Sequence, residues 1–517
     1  MPLEGTTAPS CNCKAGRFVV SLWAFQNKKI ETMKKLTSWG SAAVWMWMVG
    51  TSTVCMGQTP CVDGFAGEYP CENYDLLSVR TLEELGGGAN GNDCWGWVDA
   101  DSQREFVLYG RSNGLSIVEV TDAVNPVFVA RVPTASVQSL WRDVKVHDNH
   151  AFIVSEAAGH GMQVVDLSGI PDITLGPIEL TPVSMYLGFG NAHNIAINEA
   201  SGFAYGLGTN TAGGGLHAVD ISNPASPIVA GINNGPYTHD AQIVMYEGPD
   251  ADHAGQEVAF CFNGSAGVAI VDVSNKMDMT EISAFNYSES AYTHQGWVSD
   301  DHTFLYFNDE LDEGQFGNGT RTYIADISDL DAPTVLGYYT AENTSVDHNL
   351  YIRDGKLYAS NYMSGLRVST FLPNGNLEPY GYFDVRPDSD TTSFYGTWSN
   401  YPYFPSGNIA ISCRSVGLFM VKDPSFNPLD VAEVSDAAEV LTASPNPAMD
   451  HMVLSGMPSA ASVRVMNMAG QEVMTLDRVP GLNGLTVSVQ DWPNGVYLVR
   501  AENASGAVRT ARVVVRH

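Results

Sequence analysis

Positive charge is what this chain has least of. Against 57 Asp and Glu it carries only 26 Lys and Arg, a formal net charge of −31 over 517 residues. No basic stripe is available to release counterions from a phosphate backbone, which excludes nucleic acid as a partner. Cysteine is scarce too, eight in all with no CxxC pair, so a thiol redox motif or a zinc knuckle is excluded. The chain also lacks a GxSxG elbow, a GxxxxGK[ST] loop and an HExxH helix. GGGANG (86–91) and TAGGGL (211–216) open no helix and read as turns, not phosphate cradles. What remains is 44% hydrophobic and 16% charged, with 50 Gly and 26 Pro, the make-up of a turn-rich all-β globular chain.

One long apolar run, LTSWGSAAVWMWMVGTSTV (36–54), follows Met33, Lys34 and Lys35 and closes on small residues. It reads as a signal peptide over 33–57, with cleavage near Gly57 and no membrane span afterwards. Residues 1–32 lack signal character and fit a start assigned too early, with Met33 the expected first residue. Of the five cysteines beyond 57, Cys61 and Cys71 flank the Gly/Pro segment CVDGFAGEYPC and are expected to form a disulfide in an N-terminal segment, 58–93. Cys261 and Cys413 occupy matching strand positions and read as small buried hydrophobes.

Repetition explains the length. GLSIVEV (114–120) recurs as GMQVVDL (161–167), GLHAVDI (215–221), GVAIVDV (267–273), RTYIADI (321–327), GLRVSTF (365–371) and GLFMVKD (417–423). Most copies are followed by an Asn/Asp-Pro type turn and a further apolar run, and preceded by two more strand-like runs. Four short strands in about 50 residues is the pattern of a propeller blade, so 94–425 is expected to form a seven-bladed β-propeller. Closure into a ring leaves no terminal repeat unpaired.

In a propeller the first strand of each blade lines the central channel. Aligning the residue just before that strand gives Trp95, Arg142, His193, His239, His294, His348 and Thr397. Four consecutive blades thus offer an imidazole on one side of the mouth, flanked by Asp143, Asn194, Asp240, Gln295 and Asn349. Loops expected on the same face add Glu156, and Asp309, Glu310, Asp312 and Glu313 from NDELDEG. Histidines with carboxylates are the ligand set of a divalent transition metal, expected at His193, His239, His294 and His348. The same pattern also suits imidazoles that only hydrogen-bond across blade boundaries. NDELDEG and GPDADHAG lack D-x-D-x-D-G spacing and read as solvated turns. The aromatics of WGW, YTHQGW and GTWSNYPYFP read mainly as core and channel packing, with stacking platforms for a glycan as the alternative.

PCVDGFAGEYPCENYDLL, NDCWGWVDA, LWRDVKV, GHGMQVVDL, YTHDAQIV, YTHQGWV, NDELDE, VDHNLY and SNYPYFPSG together resemble the choice-of-anchor B family over about residues 60–425. That resemblance implies a propeller of LVIVD-type repeats on an exported body with no assigned chemistry. Carried over residue by residue, it covers Arg142, Asp143, His193, Asn194, His239, Asp240, His294, Gln295, Asp309, Glu310, Asp312, Glu313, His348 and Asn349. GLRVSTF departs by placing Thr370 where the repeat expects Asp, which weakens one turn and not the ring.

After an acidic linker (426–440), short alternating strands with MAGQ and PNG turns read as a small Ig-like β-sandwich over 441–517. SPNPAMD, NGVYLVR and the basic end resemble the C-terminal sorting domain of the type IX secretion system. The resemblance implies that the secretion machinery is a partner of 441–517 and that the chain is released from, or attached to, a Gram-negative cell surface. Two functional classes follow: a non-catalytic binder of a surface glycan, protein or small ligand, and a metal-binding protein or metal-dependent enzyme at the channel mouth.

Overall fold

The computed structural model describes residues 58–427, 441–456, 461–467, 472–479, 485–502 and 508–517. The expected signal peptide at 33–57, the segment before it and residues 428–440 of the expected linker lie outside them.

Seven antiparallel sheets are each built from four main strands. Their first strands are Gly91–Val98, Arg142–His147, Asn194–Asn198, Asp240–Met245, Thr293–Val298, Leu350–Arg353 and Thr397–Tyr401. Each packs against the first strand of the next sheet, and Thr397–Tyr401 returns to Gly91–Val98, so the seven close into a ring. The chain therefore forms the seven-bladed propeller that its repeats imply.

The repeat cores are the third strands. Gly114–Glu119 and Val268–Asp272 are buried along almost their whole length, because both faces of a blade pack on neighbouring blades. Such strands need continuous apolar runs rather than strict alternation. Fourth strands lie at the rim, and Thr334–Thr340 alternates exposed with half-buried. In four copies the Asp ending the repeat accepts the amide two residues on: Asp166 from Ser168 (2.8 Å), and Asp220, Asp272 and Asp326 from Ser222, Ser274 and Ser328 (2.9 Å each). In the sixth blade Thr370 stands there instead, and the turn is closed by the Leu372 amide on the Asn376 carbonyl at 2.7 Å.

The ring closes through a strand that the repeats do not contain. Asp75–Thr81 pairs antiparallel with Gly417–Lys422 as the outer strand of the seventh blade. Segment 58–93 is thus built into the propeller, a correction to its separate placement before residue 94. Tyr69–Glu72 adds to the sixth blade beside Leu377–Phe383, and Cys71 is disulfide-bonded to Cys61.

The C-terminal module consists of two sheets. Thr442–Ser444, His451–Ser455 and Leu485–Ser488 make one. Glu472–Val479, Ala461–Asn467, Gly495–Glu502 and Val508–Val515 make the other. Met452, Leu454, Val463, Val465, Val487 and Val499 share one core between them, which defines a β-sandwich.

Candidate functional site

The four histidines of the third to sixth blades form one arc. Ring centroids are 4.1 Å apart for His193 and His239, 4.3 Å for His239 and His294, and 4.2 Å for His294 and His348. Backbone pairing sets their places: the His193 amide donates to the Leu207 carbonyl and the His239 amide to the Phe262 carbonyl, each at 2.8 Å. His239, His294 and His348 are buried, and His193 is partly open.

Hydrogen bonds at Nδ1 orient the rings. His239 Nδ1–H donates to the His294 carbonyl at 3.0 Å, and His348 Nδ1–H donates to the Trp398 carbonyl. His193 Nδ1 lies 2.6 Å from Glu156 Oε1. A carbonyl only accepts, so in neutral His239 and His348 the lone pair must reside on Nε2. His294 Nδ1 is buried without a partner.

Glu310 completes the group. Its Oε1 is 3.6 Å from His348 Nε2 and accepts from the Tyr362 hydroxyl at 2.9 Å; its Oε2 is 4.0 Å from His294 Nε2. One donor atom each from His239, His294 and Glu310 lie within 4.8 Å of one another. Burial, reinforced by the neighbouring imidazoles, holds His239 and His294 well below the usual histidine value. Burial also pushes His348 down to about 3 and Glu310 up to about 7. His239, His294 and His348 are therefore neutral, the form that ligates a metal.

The depressed His348 value has a measurable sign. Its folded pKa lies below its unfolded one, so no penalty exists above about pH 6.5 and one grows as the pH falls towards 3. With chelator present, His348→Gln is expected to lose about 2 kcal/mol less stability than the parent between pH 7 and pH 5. Urea unfolding at the two pH values measures this; equal losses would mean that His348 is protonated in the fold.

The other expected mouth residues are put to different uses. Arg142 is buried and donates to the Arg111 carbonyl and to Thr134 Oγ1, with Nη1 2.9 Å from His160 Nε2. Asp309 accepts from the Tyr287 hydroxyl and from the amides of Ala291, Tyr292 and Leu311, and so clamps its own loop. Asn194 donates to the His239 carbonyl, and Gln295 accepts from the Leu350 amide. Asp312 and Glu313 are buried, with Glu313 Oε1 accepting the Asp347 amide at 3.3 Å, which corrects the solvated-turn reading of NDELDEG. Burial, then the charge of Asp312, pushes Glu313 up to about 9.

Two members of the aligned ring also shift. Asp93 Oδ1 accepts the Cys94 amide just as Asp143 accepts that of Val144 and Asp240 that of Ala241. The residue equivalent to the histidines in the first blade is therefore Asn92, not Trp95. In the seventh it is Trp398, not Thr397, because its carbonyl receives His348 as the His294 carbonyl receives His239. Bulges between Gly91 and Cys94 and between Thr397 and Ser399 slide the alignment.

A second tier lies one residue further along these strands. Asp93, Asp143 and Asp240 act together on Lys145, whose Nζ is 2.7 Å from Asp143 Oδ1, while Asn349 donates to Asp93 Oδ2 at 3.0 Å and Gln295 lines the same cavity. Burial depresses the Lys145 ammonium, but Asp143, Asp93 and Asp240 outweigh it and hold its pKa above the usual lysine value. A cavity of about 190 Å³ here is lined by Trp95, Lys145, Asp240, Gln295, Trp297 and Tyr351. A larger one, about 540 Å³, lies in a groove bordered by Glu342, Arg367 and Asp384, with no imidazole. Glu156 and Tyr362 serve as second partners of the site, and only Glu156 had a sequence signal, its place in the VSEAAGHG loop.

Comparison with known proteins agrees with the two-part build. An LVIVD repeat family model matches residues 190–234 and 260–287, and a secretion system C-terminal sorting domain matches 443–516. No match is found among curated proteins. Among solved structures, the chain is similar to the extracellular domain of a one-component system from B. thetaiotaomicron, at 11% identity and TM-score 0.42, covering 85% of this chain and 58% of that one. It is similar also to a periplasmic gluconolactonase from Pseudomonas aeruginosa, at 12% identity and TM-score 0.41, covering 58% of this chain and 86% of that one. Among the described residues no helix is long and apolar enough to cross a membrane.

Proposed function

We propose that this chain, an LVIVD-repeat propeller ending in a secretion-system C-terminal sorting domain, is a surface or secreted protein that holds one divalent transition metal at its channel mouth. The sorting domain marks the chain for secretion or cell-surface attachment. Entry into that route by a signal peptide at 33–57, and membership of the choice-of-anchor B group, belong to the same proposal.

One observation carries the metal reading. His239 and His348 spend Nδ1–H on backbone carbonyls, leaving Nε2 lone pairs beside His294 and Glu310, whose carboxylate is itself held by Tyr362. Ligating histidines are ordinarily oriented this way, by an acceptor on the other ring nitrogen. Two imidazoles and a carboxylate, with His348 beside that carboxylate, suit an ion of the iron-to-zinc range rather than calcium or magnesium. The ion would supply Lewis acidity at a mouth where His193 is partly open. Binding is the conclusion; the chemistry of a further ligand on the open side is a question for the loaded protein.

Elemental analysis of the mature chain, purified without chelator, is the test. About one transition metal per chain is expected. A chain free of metal that also takes up none from micromolar Zn²⁺ or Fe²⁺ would overturn the proposal and leave the imidazoles as cross-blade hydrogen bonders.

A further inference from the structure

The tryptophans of WGW and YTHQGW take no part in the imidazole group. Trp95 and Trp297 instead wall the cavity of about 190 Å³, whose lining comes from the first strands of six blades and so lies in the central channel. Tyr351 meets both indoles edge-on, its centroid 5.8 Å from that of Trp95 and 5.2 Å from that of Trp297, and holds their planes in place. The cavity reaches the end of the channel opposite the histidines. His193 stands just before the strand Asn194–Asn198 and Glu199 just after it, and Glu199 is an exposed member of the lining.

The polar groups of this cavity are fixed in place but only half used. Gln295 Oε1 accepts the Leu350 amide at 2.8 Å, and Gln242 Oε1 accepts the Val298 amide at 2.7 Å. A backbone amide only donates, so each carboxamide must turn its oxygen to the next blade and keep its NH2 free. Among the described residues neither NH2 meets an acceptor, and neither does the indole N–H of Trp95 or Trp297. Gln295 is 3% exposed, and a donor so deeply placed calls for a partner inside the channel. Asp240 supplies the converse: its Oδ1 accepts the Ala241 amide at 2.7 Å, and its Oδ2 accepts from no described residue. Lys145 is already engaged, by Asp143 Oδ1 at 2.7 Å and by the Trp95 ring 4.6 Å below its Nζ.

These groups select the chemistry of an occupant. An anion is disfavoured, because Asp93, Asp143 and Asp240 outnumber Lys145 and Glu199 stands at the open end. A cation brings donors and no acceptors, and would leave both carboxamides and both indoles unmet. A hydroxyl donates and accepts, and the C–H face of a sugar ring packs on an indole plane. The volume lies below the about 300–1,000 Å³ of sites for larger ligands, which limits the occupant to a single ring. We propose that the channel cavity binds one neutral monosaccharide, entering past Glu199 and held between Trp95 and Trp297 by Gln242, Gln295 and Asp240. The site uses none of the imidazoles and stands whether or not they hold a metal.

The experiment titrates the full mature chain with glucose, galactose and mannose, and with glucosamine and glucuronate as charged controls, reading tryptophan fluorescence and saturation-transfer NMR. Saturable binding of at least one neutral hexose, with a Kd of about 1 mM or tighter, is expected. Trp297→Phe keeps an aromatic wall and removes the indole N–H. Gln242→Glu keeps the acceptor for the Val298 amide and replaces the free NH2 by oxygen, and serves alone should Trp297→Phe not fold. Each is expected to weaken binding by about 10-fold. The His239→Ala/His294→Ala chain is expected to bind the sugar like the parent; loss of binding there would move the sugar to the imidazole group and overturn this assignment. No saturable binding of any of the three hexoses, tighter binding of a charged control, or undiminished binding by the folded channel variants would overturn it too.

Discussion

With His239 and His294 both replaced by alanine, affinity for a divalent transition metal is expected to fall by at least about 100-fold, close to 3 kcal/mol, while the propeller stays folded. Two of the imidazole donors disappear, and Glu310 loses both of these neighbours. The cost to the fold is separate and smaller. The substitutions remove the hydrogen bond from His239 Nδ1 to the His294 carbonyl, worth about 1 kcal/mol, and leave a cavity at the channel mouth. The backbone carbonyl of residue 294 survives the change. Metal titration followed by calorimetry, with melting of the metal-free chains in parallel, distinguishes the roles. Metal affinity unchanged against a Tm lowered by many degrees would make the arc a structural device. Glu310→Gln should fall between parent and double variant, because it removes charge and keeps the partner to Tyr362.

A chain beginning at residue 82 is expected to lose the cooperative fold of the whole propeller. Residues 75–81 supply the outer strand of the seventh blade, and their removal exposes the edge of Gly417–Lys422. Tyr74 and Leu77, both buried, leave with it, as does Cys71 and its disulfide. Burial of such side chains is worth about 1.5–3 kcal/mol each, and closing the short loop between Cys61 and Cys71 adds about 3 kcal/mol. The sum, before any strand hydrogen bonds, is comparable with the 5–15 kcal/mol typical of a whole domain. Near-ultraviolet circular dichroism through a thermal scan reads the outcome. A truncated chain melting within a few degrees of the parent would show that the ring closes without this strand. The milder change Cys61→Ala/Cys71→Ala should keep the fold and remove only the disulfide's share.

Most of the architecture was readable because it is local. The Asp of VVDLS, AVDIS, IVDVS and IADIS caps its own turn two residues away, so the repeat announces each blade without help from the rest of the chain. His193, His239, His294 and His348 fell into register for the same reason, each standing just before a first strand. Trp95 and Thr397 did not, because bulges add residues that no propensity marks. DLLSVRT reads as a plain strand, and nothing in its seven residues says that its partner lies some 340 positions on.

The loop NDELDEG draws the line most sharply. Its sequence offers four acids in five positions, and spacing alone treats them alike. Folded, Asp309 clamps the loop, Glu310 faces the imidazoles, and Asp312 and Glu313 are buried with Asp347. The sequence by itself determined a seven-bladed all-β body with an arc of histidines and a C-terminal sorting sandwich, since periodicity and turn chemistry act over a few residues. Only the tertiary structure decided which carboxylate meets which partner and how the ring closes. Those outcomes depend on burial and on groups brought from other blades, which no local pattern encodes.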